Sequence, residues 1–254
     1  NCYGFPIREY DNKIPSDLTA EQILIRSGNI GSVRIGQKIG PEKYKSFLEK
    51  IGVLSKIEFD IEEVAPQKNY KFGKCKLATA SFGHGIATTV LQLAKGYAII
   101  SNGGYDVKPT LINKDIKINK KKNRILKKGV SEQVVNVLRK IVNTEEGTAK
   151  FANVPNFEIA GKTGTADKVL DGIYSEGKVN TFASIFPSSS PNYVFIVMLD
   201  TPKTSSSYIY NYRHKEGTQT GTPYNTAGWT SVEVAGKIID KIGPILATKY
   251  IEVN

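Results

Sequence analysis

Apolar positions in the first half of this chain recur at helical spacing. Leu18 to Arg26 and Ile30 to Ile39 form two such runs, parted by Ser27-Gly28-Asn29. Asp17 or Thr19 stands where a cap for the first run belongs. Pro41 opens a third helix at its first turn, with Phe47, Leu48 and Ile51 on one face and Gly52 closing it. Ala87 to Ser101 predicts a further helix, carried by Val90, Leu93, Ala94, Tyr97 and Ala98 and stopped by Asn102-Gly103-Gly104. Val107 to Leu126 reads as a short β-hairpin or extended excursion. Ser131 then caps a helix whose apolar stripe is Val134, Val135, Leu138, Ile141 and Val142.

The period then shortens to that of strands. Phe157 to Lys168, Thr181 to Pro187 and Tyr193 to Leu199 predict three strands, the last two joined by the turn Ser188-Ser189-Ser190-Pro191-Asn192. Met198 reads as core filler in the last strand. Thr201 to Asn225 is a long loop rich in Ser, Tyr and Gly, and such loops in compact domains are often functional. Thr226 to Leu246 closes the chain as an amphipathic helix, with Trp229 packing in the core or at its edge. Helices, an antiparallel meander and a closing helix make an α/β (α+β) layered domain, the sheet covered on one or both faces.

Composition keeps the chain in the globular class: 254 residues, 40% hydrophobic and 23% charged. The longest apolar run, Tyr193 to Leu199, is far short of the ~18 residues of a membrane span. No basic leader precedes an apolar stretch, and the chain opens on Asn1. A fragment is therefore expected, with any targeting or anchoring segment upstream. Cys2 and Cys75 form no CxxC pair and are expected to be free thiols.

The net charge is +11, and much of the excess is local. Lys114, Lys117, Lys120, Lys121, Lys122, Arg124, Lys127 and Lys128 face only Asp115 in that stretch. No aromatic side chains interleave there to stack bases, so nucleic acid is not the expected partner. A solvated hairpin, or a patch facing an anionic membrane or wall polymer, fits better. The acidic cluster Asp60, Glu62 and Glu63 reads as a solvated loop. His84, between glycines, reads as a turn residue, with only His214 as a second histidine.

The richest chemistry lies in Gly161-Lys162-Thr163-Gly164-Thr165-Ala166. A phosphate loop would need glycine at the position of Asn156 and a helix after the lysine, and neither is expected. The KTG strand of serine penicillin-recognising enzymes fits instead. Lys162 sets a positive charge beside a reaction centre. Gly164 leaves room for a substrate to lie against the strand. Thr163 and Thr165 offer hydroxyls to a terminal carboxylate. Ser27-Gly28-Asn29 is an S-x-N triplet ahead of it, in the order that class uses.

Longer runs extend the match. Glu62-Glu63-Val64-Ala65-Pro66, Ser81-Phe82-Gly83-His84-Gly85, Leu91-Gln92-Leu93-Ala94, Asn102-Gly103-Gly104, Gly147-Thr148-Ala149 and Ala227-Gly228-Trp229 fall in the same order as in class B penicillin-binding proteins. The chain resembles the transpeptidase domain of that family along essentially its whole length, and most of all the cell-division enzymes that cross-link septal peptidoglycan. The resemblance implies a β-lactamase/transpeptidase-like fold and acyl transfer through a serine. Ser27 would relay a proton, Asn29 would bind the substrate amide, and Lys162 would sit against Ser27. Thr165 would supply one oxyanion-hole N–H. Ser27, Asn29, Lys162 and Thr165 are thus expected around one groove.

The family's S-x-x-K, which holds the nucleophile, does not occur ahead of Ser27. Its one occurrence, Ser175 to Lys178, falls in a predicted turn and is taken as coincidence. Residues 1–254 are therefore expected to be the C-terminal part of a transpeptidase domain. Alone it would be inactive, and the outer edge of its last strand would be bare. The resemblance implies D-Ala-D-Ala stem peptides and β-lactams as ligands, divisome proteins as possible partners, no metal or organic cofactor, and the periplasmic face of a bacterial inner membrane. A non-catalytic divisome or wall-interaction remnant and a serine β-lactamase relative are the competing readings.

Overall fold

The computed structural model describes the chain except residues 1, 3, 5, 62–69, 113–122, 171–172, 204, 211–218, 222–223 and 252–254. Most of the basic run, Glu62, Glu63, the residues around Val64-Ala65-Pro66 and His214 lie outside the described residues. The chain forms two compact units, residues 1–135 and 136–254.

The first unit is helical. α1 (Ala20–Ile25) starts at Thr19, whose side chain and that of Gln22 form a reciprocal capping box. α2 (Asn29–Ile39) follows after three residues, and Gly40, at φ 84°, turns the chain into α3 (Pro41–Lys50). Gly52, at φ 86°, ends that helix as the glycine predicted, because only glycine takes this left-handed turn without strain. α4 (Lys74–Ala80) has no counterpart in the sequence reading; its seven residues are too few for periodicity to register. It packs on α2 and α3. α5 (Val90–Ser101) starts three residues later than expected, at a Thr89/Gln92 capping box. The buried Gln92 amide also donates to the Ser55 carbonyl, 2.7 Å away. Ile25, Val33, Ile51, Leu77 and Ile99 are among this unit's buried apolar residues.

Two expectations fail in this part of the chain. Cys2 and Cys75 are joined in a disulfide across 73 residues, not free. The fold brings their Cα atoms to 5.2 Å, a distance that no spacing rule reveals. Ser131 is not a cap: α6 (Lys128–Asn143) starts three residues before it. Its hydroxyl, buried, instead donates to the Ile100 carbonyl.

The second unit holds the sheet. β1 (Ala160–Leu170), β2 (Ile173–Phe186) and β3 (Tyr193–Asp200) pair antiparallel in the order β1-β2-β3. β1 starts later than Phe157 because Asn156 and Glu158 turn the backbone left-handed, at φ 71° and 41°. β2 starts well before Thr181. Its polar first half is held as a strand by pairing to β1, with Val169 opposite Tyr174 and Asp167 opposite Lys178. Ser175 to Lys178 is therefore strand rather than turn.

α7 (Ser231–Ile251) packs on β2 and β3, as expected of the closing helix. Side chains alternate across β3, so Val197 is buried while Met198 is 51% exposed and is not core filler. Among the described residues β3 has β2 as its one strand neighbour. The Thr201–Asn225 stretch contains a small ladder, β4 (Ile209–Tyr210) against β5 (Gln219–Thr220).

Candidate active site

β1 is an edge strand of the three-stranded sheet, and the KTG residues sit on it. The phosphate-loop alternative is excluded, because Gly161-Lys162-Thr163 continues as strand rather than opening a helix. Gly161 faces inward. A Cβ there would stand 2.7 Å from both the Ala183 carbonyl and the Phe182 ring. Gly164 is the opposite case: a Cβ there would meet nothing nearer than the Thr181 carbonyl at 4.0 Å. Packing therefore demands the first glycine, and the second keeps the strand edge open.

Thr163 and Thr165 share one face of β1 by strand alternation, yet they are held differently. The Thr163 hydroxyl lies 2.8 Å from the Thr148 hydroxyl and 3.5 Å from the Lys162 ammonium. The Thr165 hydroxyl, on an exposed residue, accepts the Ala227 N–H at 2.9 Å. That contact uses one lone pair and leaves the hydroxyl hydrogen to donate. Thr165 is thus the better placed of the two to bind a carboxylate. Lys162 is half-buried and its ammonium donates to the Thr163 carbonyl at 2.9 Å. Desolvation disfavours its charge and pulls its pKa down from 10.5 to about 8.

Behind this edge lies a layer that sequence reasoning did not assign. Asn180 pairs with Thr165 in register and is fully buried. Its amide donates to Asn225 Oδ1 at 3.0 Å and to the Thr230 hydroxyl at 2.9 Å. Its Oδ1 is buried with no donor among the described residues. Gly228 stands where a Cβ would come within 2.7 Å of the Thr148 carbonyl. Trp229 meets Phe151 edge-on at 5.2 Å, a core contact as expected. Gly147-Thr148-Ala149 and Ala227-Gly228-Trp229 were visible as matching runs. Their service to β1 was not visible, since it arises from contacts across 15 and 62 residues.

In the first unit, Ser27 and Gly28 form the turn between α1 and α2. Ser27 has φ 58°, unusual for a residue other than glycine, and its N–H donates to Leu24 O at 3.3 Å. Asn29 opens α2, and its side-chain amide donates to the Arg8 carbonyl at 2.9 Å. His84 stacks on Phe82 in its glycine-flanked turn. Asp60 accepts hydrogen bonds from the Thr110 hydroxyl and Leu111 N–H, both 2.6 Å, so this acid has a structural task.

The S-x-x-K at Ser175–Lys178 has no catalytic geometry. Residues three apart share a face on a helix but point to opposite faces on a strand. Ser175 donates to the Lys168 carbonyl at 3.1 Å, and Lys178 pairs with Asp167 at 2.6 Å. Among the described residues no His, Cys, Asp and Glu side chains gather as metal ligands.

An antiparallel sheet flanked by helices, with a lysine-threonine-glycine edge strand, is the architecture of the penicillin-recognising transpeptidases. The fold matches the TP domain of penicillin-binding protein 3 from Burkholderia pseudomallei, with a TM-score of 0.72 at 23% identity, over 90% of this chain and 65% of that one. The family model for the penicillin binding protein transpeptidase domain matches residues 3–219, and the chain belongs to that family. A probable peptidoglycan D,D-transpeptidase FtsI of Caulobacter vibrioides is 27% identical over 242 residues, covering 91% of this chain and 39% of the relative. Stage V sporulation protein D of Bacillus subtilis is 31% identical over 196 residues, 72% of this chain and 30% of that protein. The chain thus spans about two fifths or less of the length of these relatives.

Proposed function

We propose that this chain supplies the KTG and S-x-N residues of a peptidoglycan D,D-transpeptidase. The observation that carries the reading is the β1 edge: an open backbone at Gly164, the Thr165 hydroxyl with a hydrogen to donate, and a desolvated Lys162 beside them. A stem peptide ending in D-Ala-D-Ala would lie along this edge as an added strand, its carboxylate on Thr165. A β-lactam presents the same carboxylate and acyl geometry. In the reaction a serine Oγ attacks the D-Ala-D-Ala carbonyl, the terminal D-Ala leaves, and an amine of a second stem peptide resolves the acyl ester. The Thr165 N–H would bind the oxyanion, Ser27 would pass the proton, and Asn29 would hold the substrate amide.

We assign the serine of the S-x-x-K to the part of the relatives that this chain does not span. The same reading places the protein at the periplasmic face of the inner membrane, with divisome proteins as partners. No described helix is long and apolar enough to cross a membrane.

The test is binding of a D-Ala-D-Ala pentapeptide, followed by amide chemical shifts of the labelled chain. Shifts at Gly164 and Thr165 that vanish in Lys162→Ala are expected. Shifts elsewhere, or none, would refute the assignment. A fluorescent penicillin should leave no adduct on this chain after denaturing electrophoresis. A stable adduct would mean that a serine within residues 1–254 is the nucleophile.

A further inference from the structure

The turn carrying Ser27 and Asn29 sits at the start of α2, and a helix start leaves backbone N–H groups without intrahelical partners. The capping position is Gly28, which has no side chain to serve them. Glu9, 20 residues earlier, fills the role instead. One carboxylate oxygen accepts the Asn29 N–H at 2.6 Å and the other accepts the Ile30 N–H at 2.9 Å. The negative charge also lies at the favourable end of the helix dipole.

The neighbours of Glu9 grip the same turn. The Arg8 carbonyl takes the Asn29 side-chain amide at 2.9 Å. The Tyr10 hydroxyl donates to the Arg26 carbonyl, on the other side of the turn, at 2.9 Å. Three consecutive residues therefore bracket Ser27-Gly28-Asn29 from both ends. Upstream, Cys2 is bonded to Cys75 in α4, and α4 packs on α2. The gripping segment is thus covalently tied to the helix layer that it grips.

We propose that Glu9 is a positioning residue for the S-x-N turn, held in place by the Cys2–Cys75 bond. Its importance for catalysis rests on the function assigned to Ser27 and Asn29 above; its effect on the turn does not. Glu9 fixes the left-handed Ser27 and the orientation of Asn29, and touches no substrate itself.

Amide hydrogen exchange on the 254-residue chain tests this without any reaction. Glu9→Ala should speed exchange at Asn29 and Ile30 by roughly tenfold, the scale of a lost helix cap, while α5 and β2 keep their rates. Glu9→Gln retains one carbonyl oxygen, so one of the two amides should stay protected and the other should not. Unchanged exchange at both amides in Glu9→Ala, or an equal rise throughout the chain, would overturn the proposal. The Cys2→Ser/Cys75→Ser double variant should loosen the same two amides; if it leaves them unchanged, the disulfide is not the anchor. Failure of peptide binding in the preceding test would remove the catalytic context of the turn and leave these rates as they are.

Discussion

The hydroxyl oxygens of Thr148 and Thr163 lie 2.8 Å apart, joining the Gly147-Thr148-Ala149 turn to the KTG strand. Because Thr163 Oγ1 is also 3.5 Å from the Lys162 ammonium, this contact helps to set where that lysine sits. Thr148→Val keeps the shape and deletes the hydroxyl. It should lower stability by about 1 kcal/mol, while Thr148→Ser stays near the parent. Thermal melting of the three proteins checks this, and an unshifted Thr148→Val would show the contact to be idle.

The two glycines of the strand should respond in opposite ways. Gly161→Ala forces a Cβ to 2.7 Å from a carbonyl oxygen and a ring carbon, and should cost about 1–3 kcal/mol. Gly164→Ala enters open space and should change stability by less than about 0.5 kcal/mol. It should nevertheless weaken pentapeptide binding, because the methyl stands where the peptide lies. Denaturant melts and a binding titration separate the two effects.

Lys162 makes stability depend on pH in a defined window. Its folded pKa, about 8, is below the ordinary 10.5, so between those values the unfolded chain holds more protons than the folded one. The penalty for burying the charge is fully present below pH 8 and is relieved as pH rises toward 10.5. Relative to Lys162→Met, the parent should gain on the order of 1–3 kcal/mol across that window, after allowing for its partial exposure. Parallel denaturant melts at pH 7 and pH 10.5 measure it, and equal differences at the two pH values would refute the buried lysine.

The disulfide makes a count and a stability change. With Cys2 and Cys75 as the only cysteines, thiol titration of the denatured, unreduced chain should find none free. Closing 73 residues should stabilise by about 4 kcal/mol in the chain-entropy model. Reduction should therefore lower the urea midpoint of the helical unit. Two titratable thiols in the purified protein would contradict the bridge.

Much was legible in the amino-acid sequence because it is written locally. The helices after Thr19 and at Pro41 announce themselves by a cap and a first-turn proline, and the one ending at Ser101 by its 3.6-residue spacing, all within a few residues. The last two strands and the Gly161–Thr165 motif do so by alternation and by residue type. The ordered short motifs were enough to point to the family. What the tertiary structure decided depends on residues far apart in the chain. Ser175–Lys178 is strand because β1 offers it partners, although its own composition says turn. Met198 is exposed, although apolar, because pleating puts it on the face opposite Val197. The Cys2–Cys75 bond, the buried Asn180 and the Glu9 clamp on α2 arise from segments that meet only when the chain is folded. Periodicity reports which face of an element is apolar, whereas a pairing partner tens of residues away leaves no trace in the local pattern.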